Sequence, residues 1–172
     1  MSDYRRLYVP GGTYFFTLVT WHRQPFFKNA DHVAVLSEAI RHVKRQRPFV
    51  MDAIIVLPDH LHTIWRLPEN DADYSGRWCE IKKRVSRSIA PSSDQFGERK
   101  VWQRRFWEHQ IVDDADWRLH MDYIHYNPVK HGLAASPCDW PYSSFLNCVK
   151  RGWYDMNWGQ SDLSHIAQLN FE

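Results

Sequence analysis

Two histidines separated by one bulky apolar residue, His60-Leu61-His62, lie in a run that reads as a β-strand. Residues two apart on a strand point to the same side, roughly 7 Å from one another. His60 and His62 can therefore grip one divalent metal ion while Leu61 enters the core on the other face. The same pair also suits a half-exposed strand whose imidazoles are satisfied by hydrogen bonds. A second stretch bears on the choice: Trp117-Arg118-Leu119-His120-Met121-Asp122-Tyr123-Ile124-His125-Tyr126-Asn127-Pro128. At about 100° per residue from Trp117, Met121 and Ile124 fall within about 40° and form a buried stripe. Tyr123, Asn127 and His120 cluster on one flank, at about 240°, 280° and 300°. Tyr123 and Asn127 are an i,i+4 pair, near enough to serve one site. An amphipathic helix with a C-terminal Asn stop would show the same pattern.

Taken together, two imidazoles, the Asn127 amide oxygen and water complete an octahedral site. Mg²⁺ usually prefers oxygen ligands, and imidazole admits Mn²⁺ more readily. No Cys or carboxylate joins the pair at zinc-site spacing, so structural zinc is not indicated. A metal here would act as a Lewis acid on a phosphoryl oxygen. Tyr123 beside it is a candidate nucleophile. A tyrosine–phosphate ester conserves bond energy, which suits strand transfer better than plain hydrolysis.

The elements that must position these groups follow from pattern. Thr13 to Thr20 is aromatic and β-branched, as a central strand should be. A helix from Asp31 to Arg45 carries Val33, Leu36, Ile40 and Val43 on one face. Phe49 to Leu57 and His60 to Leu67 are two strands joined by a tight turn at Pro58-Asp59. Ser75 is an expected N-cap for a second helix that ends near Ala90-Pro91. Ser92 to Lys100 is a polar connection, and Phe106 to Val112 a fourth strand. The helix that carries Tyr123 follows, and Pro128 predicts its end or bend at Asn127. A short helix near Ser144–Arg151 comes last. The order β-α-β-β-α-β-α predicts an α+β fold: a ferredoxin-like split βαβ with an antiparallel sheet, helices mainly on one face and the other face available. Residues 1–152 read as one domain and residues 153–172 as a C-terminal tail with a possible regulatory role.

With 172 residues, 44% of them hydrophobic, the chain can build a sizeable core. No apolar run approaches the roughly 18 residues that span a bilayer. The first residues lack the apolar core of a signal peptide. The odd set Cys79, Cys138 and Cys148 has no CxxC spacing, so a cytoplasmic protein with reduced thiols is expected. The net charge of +2 hides an uneven distribution. Arg77, Lys82, Lys83, Arg84, Arg87, Arg99, Lys100, Arg104 and Arg105 face only Glu80, Asp94 and Glu98 over that span. The stretch after Trp153 holds Asp155, Asp162 and Glu172 with no Lys or Arg. A basic centre with an acidic tail points to a polyanionic partner, although a solvated charged face would look the same.

His-Leu-His after Leu57-Pro58-Asp59, with Tyr123-Ile124-His125-Tyr126-Asn127-Pro128-Val129-Lys130-His131-Gly132-Leu133 downstream, resembles the HUH single-tyrosine transposases. More narrowly it is similar to the REP-associated tyrosine transposases. Supporting stretches include Pro10-Gly11-Gly12-Thr13-Tyr14, Trp102-Gln103-Arg104-Arg105-Phe106-Trp107 and Asp139-Trp140-Pro141-Tyr142. The resemblance implies that Tyr123 attacks a phosphate of single-stranded DNA, leaving a 5′-phosphotyrosine and a free 3′-hydroxyl. It implies that His60 and His62 hold Mg²⁺ or Mn²⁺, with Asn127 where related enzymes use Gln. It implies recognition of a REP hairpin with a short flanking tetranucleotide, by a monomer acting in cis on the nucleoid. Arg5 and Arg6 would then form an N-terminal arm. Lys82, Lys83, Arg84 and Arg87 would line a backbone groove, and Arg104 and Arg105 would join phosphate contact to stacking. Two rivals stand beside this reading: a catalytically silent module for structured nucleic acid, and a histidine-metal phosphodiesterase that releases free products.

Overall fold

The computed structural model describes residues 6–90, 99–161 and 163–171. Its elements are β1 (Thr13–Val19), α1 (Ala30–Gln46), β2 (Val50–Val56), β3 (His60–Arg66), α2 (Tyr74–Ile89), β4 (Trp107–Gln110), α3 (Asp114–Lys130), α4 (Phe145–Lys150) and α5 (Ser164–Ala167). The strands form one sheet in the order β2-β3-β1-β4, with every neighbouring pair antiparallel. This is the α+β split βαβ arrangement that the element order predicts. Residues 92–98 of the polar connection lie outside the described residues.

Strand alternation divides the interior in two. Tyr14, Phe16 and Leu18 of β1 and Leu61 and Trp65 of β3 face α1 and α2. Phe15 and Ile64 face the opposite way, toward Met121, Tyr123 and Ile124 of α3 and Phe145 of α4. The face left available by the split unit is thus the one on which α3 docks. The first core is built on closely packed rings: Trp65 stacks on Trp78 at 4.1 Å and meets a tilted Phe49 at 4.0 Å, centroid to centroid. The tail joins the second core, where Tyr154 is buried and Leu169 and Phe171 pack against it.

Three local expectations change. The α2 N-cap is Asp73 rather than Ser75: its carboxylate accepts from Gly76 N at 2.7 Å. Ser75 lies inside the helix and its hydroxyl meets that of Tyr8. The fourth strand is shorter than its β-like composition predicts, four residues paired only to β1. Helix α3 does not end at Asn127 but continues to Lys130 with Pro128 inside it. Proline removes one donor there, yet the turn stays closed because His131 N bonds to Asn127 O and Leu133 N to Pro128 O. Burial of Asn127 and Pro128 holds the last turn against the sheet.

Arg77, counted in the basic centre, is 1% exposed and is a structural clamp. It donates to Arg47 O, Pro48 O and Asp73 O and forks onto both oxygens of Asp71 at 3.1 and 2.7 Å. It thereby ties the α1–β2 turn to the start of α2. Arg77 holds the Asp71 carboxyl down at about 2. Asp71 therefore contributes stability above its unfolded value of about 3.9, and that contribution is lost as pH falls toward 2. Replacing Arg77 with Met is expected to cost about 3 kcal/mol in urea unfolding at pH 7, because Asp71 can rehydrate but three backbone carbonyls lose their donor. A loss below about 1 kcal/mol would contradict the clamp.

Candidate active site

His60 and His62 stand on the α3 side of β3, with ring centroids 5.0 Å apart. The register of the sheet sets their tautomers. Thr17 of β1 is directly opposite His62, and residues directly opposite share a face. The Thr17 hydroxyl gives its proton to Phe171 O at 2.7 Å, so at 2.9 Å it must accept from His62 Nδ1. His60 Nδ1 lies 2.6 Å from Asp59 Oδ1, an acceptor. His62 thus carries its proton on Nδ1 and keeps the Nε2 lone pair available, and His60 directs Nδ1–H to Asp59, the arrangement that outer carboxylates and hydroxyls impose on metal-binding histidines. The bond from His60 holds the Asp59 carboxyl down at about 2, with Arg23 adding to it. Burial pushes His62 well below the ordinary imidazole range, so it is neutral.

Helix α3 lies along this pair. The Tyr123 ring is 5.2 Å from His62, and the His131 ring is 5.4 Å from His60. Asn127 is one turn from each, on the same face and fully buried. Among the described residues neither atom of its side-chain amide has a hydrogen-bond partner, and neither does His62 Nε2. Buried polar atoms in that state point to a ligand supplied from outside the chain. Two imidazoles and an amide oxygen are a donor set that fits a divalent ion.

Tyr123 is fully buried, and the tail does much of the covering. Its hydroxyl accepts from Lys130 Nζ at 3.4 Å and from Phe171 N at 3.3 Å. The Lys130 ammonium lies 4.9 Å from the centre of the Tyr123 ring and donates to Leu169 O at 2.6 Å.

Among the described residues a second group, His109, Asp116 and His120, has potential ligand atoms within 4.8 Å of one another. Here the carboxylate is already occupied. Asp116 accepts from His109 Nε2 at 2.8 Å and Val112 N at 3.0 Å, and its other oxygen is 3.0 Å from His120 Nδ1. Those bonds close β4 onto the first turn of α3. His120 Nε2 is unmatched there as well, but with the Asp116 carboxylate spent on other bonds a cation fits better beside His62 Nε2 and the Asn127 amide. His120, grouped with Tyr123 and Asn127 on the helical wheel, serves this second network.

The basic residues separate. Arg5 lies outside the described residues. Arg6 pairs with the buried Glu108 at 2.8 Å and lies over the Phe106 ring. Lys82 donates to Gln103 O and Arg104 O, and burial pushes it down to about 8. Arg84 pairs with Glu80 and faces α1. Lys83, Arg99, Lys100 and Arg104 line one groove with the rings of Trp21 and Trp102. Arg87 and Arg105 are exposed outside that lining.

The family of IS200-like transposases matches residues 8–127. The REP-associated tyrosine transposase of Escherichia coli (strain K12) is 46% identical over 158 residues, covering 92% of this chain and 91% of that protein. The chain belongs to the REP-associated tyrosine transposases, within the IS200-like family. A relative from Haemophilus influenzae is 42% identical over 166 residues, covering 92% of this chain and 94% of its own. A solved REP-associated tyrosine transposase, described as bound to a REP hairpin, superposes with a TM-score of 0.82 at 45% identity, covering 95% of this chain and 96% of that one. For this transposase, then, the residues that pattern reading left without a role are Thr17, Lys130, His131 and Phe171. Lys130 and His131 were hidden by the expected helix end at Asn127. Among the described residues no helix is long and apolar enough to cross a membrane.

Burial also makes this site acid-sensitive. His125, beneath Ser144 and Cys148, is pushed down to about 3 by burial, and His62 is shifted the same way. The unfolded chain protonates both near pH 6.5 and the folded chain does not, so stability falls as pH drops below about 6.5. His125 should cost about 1.4 kcal/mol between pH 7.5 and 5.5 in metal-free buffer, and His62 adds to the loss in the same direction. Urea midpoints check the loss, and ¹⁵N shifts of the imidazoles check that both remain neutral. A protonated His62 at pH 5.5 would contradict the assigned tautomer.

Proposed function

We propose that this protein is a metal-dependent single-stranded DNA endonuclease and strand transferase that binds REP hairpins and cleaves through a 5′-phosphotyrosine. The observation that carries the reading is the meeting of Tyr123 with His62 inside one chain, beside the Asn127 amide and His62 Nε2, which lack partners among the described residues. The hairpin is carried over from the solved relative, whose fold this chain shares. Tyr123 and both histidines come from the same chain, which supports a monomer acting in cis. The place of action is the cytoplasm, on the nucleoid.

His60, His62 and Asn127 would hold Mg²⁺ or Mn²⁺. When bound, the ion supplies Lewis-acid polarisation of a phosphoryl oxygen. The Tyr123 hydroxyl oxygen attacks phosphorus and releases its proton to solvent. The bond from phosphorus to the 3′-oxygen breaks, and that oxygen leaves with the electron pair and takes up a proton. The chain keeps the 5′-phosphate as a tyrosine ester. Attack of another 3′-hydroxyl on that ester rejoins the strand and restores the phenol. Lys130 sets a positive charge against the tyrosine oxygen and lowers the cost of a phenolate. Tail residues 153–172 restrain this chemistry: Leu169 takes the Lys130 ammonium, and Phe171 sits on the Tyr123 hydroxyl.

A labelled single-stranded REP oligonucleotide with Mn²⁺ tests the proposal. A covalent protein–DNA adduct is expected from the wild type and none from Tyr123→Phe. His60→Ala should abolish the adduct yet hold the hairpin within about threefold of wild-type affinity. Cleavage without an adduct would favour the phosphodiesterase, and tight binding without cleavage under any metal would favour the silent module.

The groove lined by Lys82, Lys83, Arg99, Lys100 and Arg104 is where the hairpin backbone would run; Arg6, Arg84, Arg87 and Arg105 lie outside that lining, and Arg5 is outside the described residues. Each lost phosphate contact should flatten the slope of log affinity against log salt by about 0.7–0.9. The double variant Lys83→Gln/Arg104→Gln is therefore expected to flatten it by roughly 1.5. An unchanged slope would remove both residues from the interface.

A further inference from the structure

The ring of Phe171 lies in a slot made of other aromatic side chains. Trp107 of β4 is parallel to it, 6° between planes and 6.0 Å between centroids. His120 of α3 is close to parallel, at 22° and 4.6 Å. Phe15 at 5.9 Å and Tyr123 at 4.8 Å meet it nearly at right angles. Trp107 is 37% exposed, so the slot reaches the surface. The backbone of the same residue engages the polar centre: Phe171 N donates to the Tyr123 hydroxyl, and Phe171 O accepts from Thr17.

One residue thus sets a polar group against the attacking oxygen and a flat π-ring a few bonds away. A nucleotide has that same layout, with a phosphate for the tyrosine and a base joined to it through the sugar. We infer that the slot of Trp107, His120, Phe15 and Tyr123 is a nucleobase subsite for a nucleotide flanking the cleaved phosphate, and that Phe171 occupies it as a surrogate base. The inference rests on the proposed DNA cleavage at Tyr123 and deepens it. The walls facing Phe171 are ring faces and edges, so the slot holds a base by stacking. It accepts any base and holds the larger purines more tightly.

The probe is a single-stranded REP-hairpin oligonucleotide with 2-aminopurine moved through the flanking nucleotides, bound to full-length Tyr123→Phe so that cleavage does not intervene. One position is expected to be quenched, more strongly after Phe171→Ala, and the quench should fall in Trp107→Leu. Phe171→Ala should raise affinity for the intact strand at least about fivefold, the low end of one base stack. It should leave affinity for the strand that is abasic at the quenched position unchanged. An equal gain for both strands would make Phe171 a mere plug and overturn the inference, as would a scan in which no position responds to Phe171→Ala. The two ideas fail separately. Adduct formation by the wild type with no responding base removes the slot and spares the cleavage reading. A responding base with no adduct does the reverse.

Discussion

The site depends on one cross-strand contact, the hydrogen bond between Thr17 and His62. It exists because β1 and β3 pair in a register that sets the two residues opposite each other. A slip of β3 by one residue would turn His60 and His62 into the α1–α2 core and bring Leu61 to the α3 side, away from the face that Thr17 holds. The register is secured from both sides. Large rings such as Tyr14, Phe16 and Trp65 fill one face, and Phe15 and Ile64 fill the other. The same packing that stabilises the sheet thus orients a buried imidazole with its lone pair outward.

That orientation has a cost. His62 is buried as a neutral ring and Asn127 as an amide without partners among the described residues, and a buried polar group left unmatched costs about 1–3 kcal/mol. Two other buried charged groups, by contrast, are closely satisfied. Arg77 makes five bonds, and Asp52 accepts from both Arg66 and Trp117 at the bulge in β2. His62 Nε2 and the Asn127 amide, unmatched among the described residues and set beside Tyr123, mark a centre shaped for something that arrives later.

The tail and the second core make one unit. Phe171 touches Thr17 and Tyr123, the residues that flank His62 on β1 and α3. Leu169 holds Lys130 away from sole service to the tyrosine. The groups that would engage a substrate are thus engaged by the chain itself. Each of those contacts is a single hydrogen bond or a ring face, weak enough for a polyanionic strand to replace.

Periodicity made much of this protein legible. Alternation along β3 by itself put His60 and His62 on one side and Leu61 on the other. The helical repeat put Tyr123 and Asn127 one turn apart. Both follow from backbone geometry within a few residues, which is why they can be read from the chain. Tertiary structure decided the rest. Pro128 reads locally as an end, but packing carries α3 past it and so brings Lys130 to Tyr123 and His131 to His60. The basic residues look like one group, yet Arg77 is buried, Arg6 and Arg84 are paired, and only part of the set shares a groove. Phe171 meets Tyr123 across 48 positions of chain. No local pattern encodes such a contact, because its energy comes from surfaces that exist only once the sheet and α3 have come together.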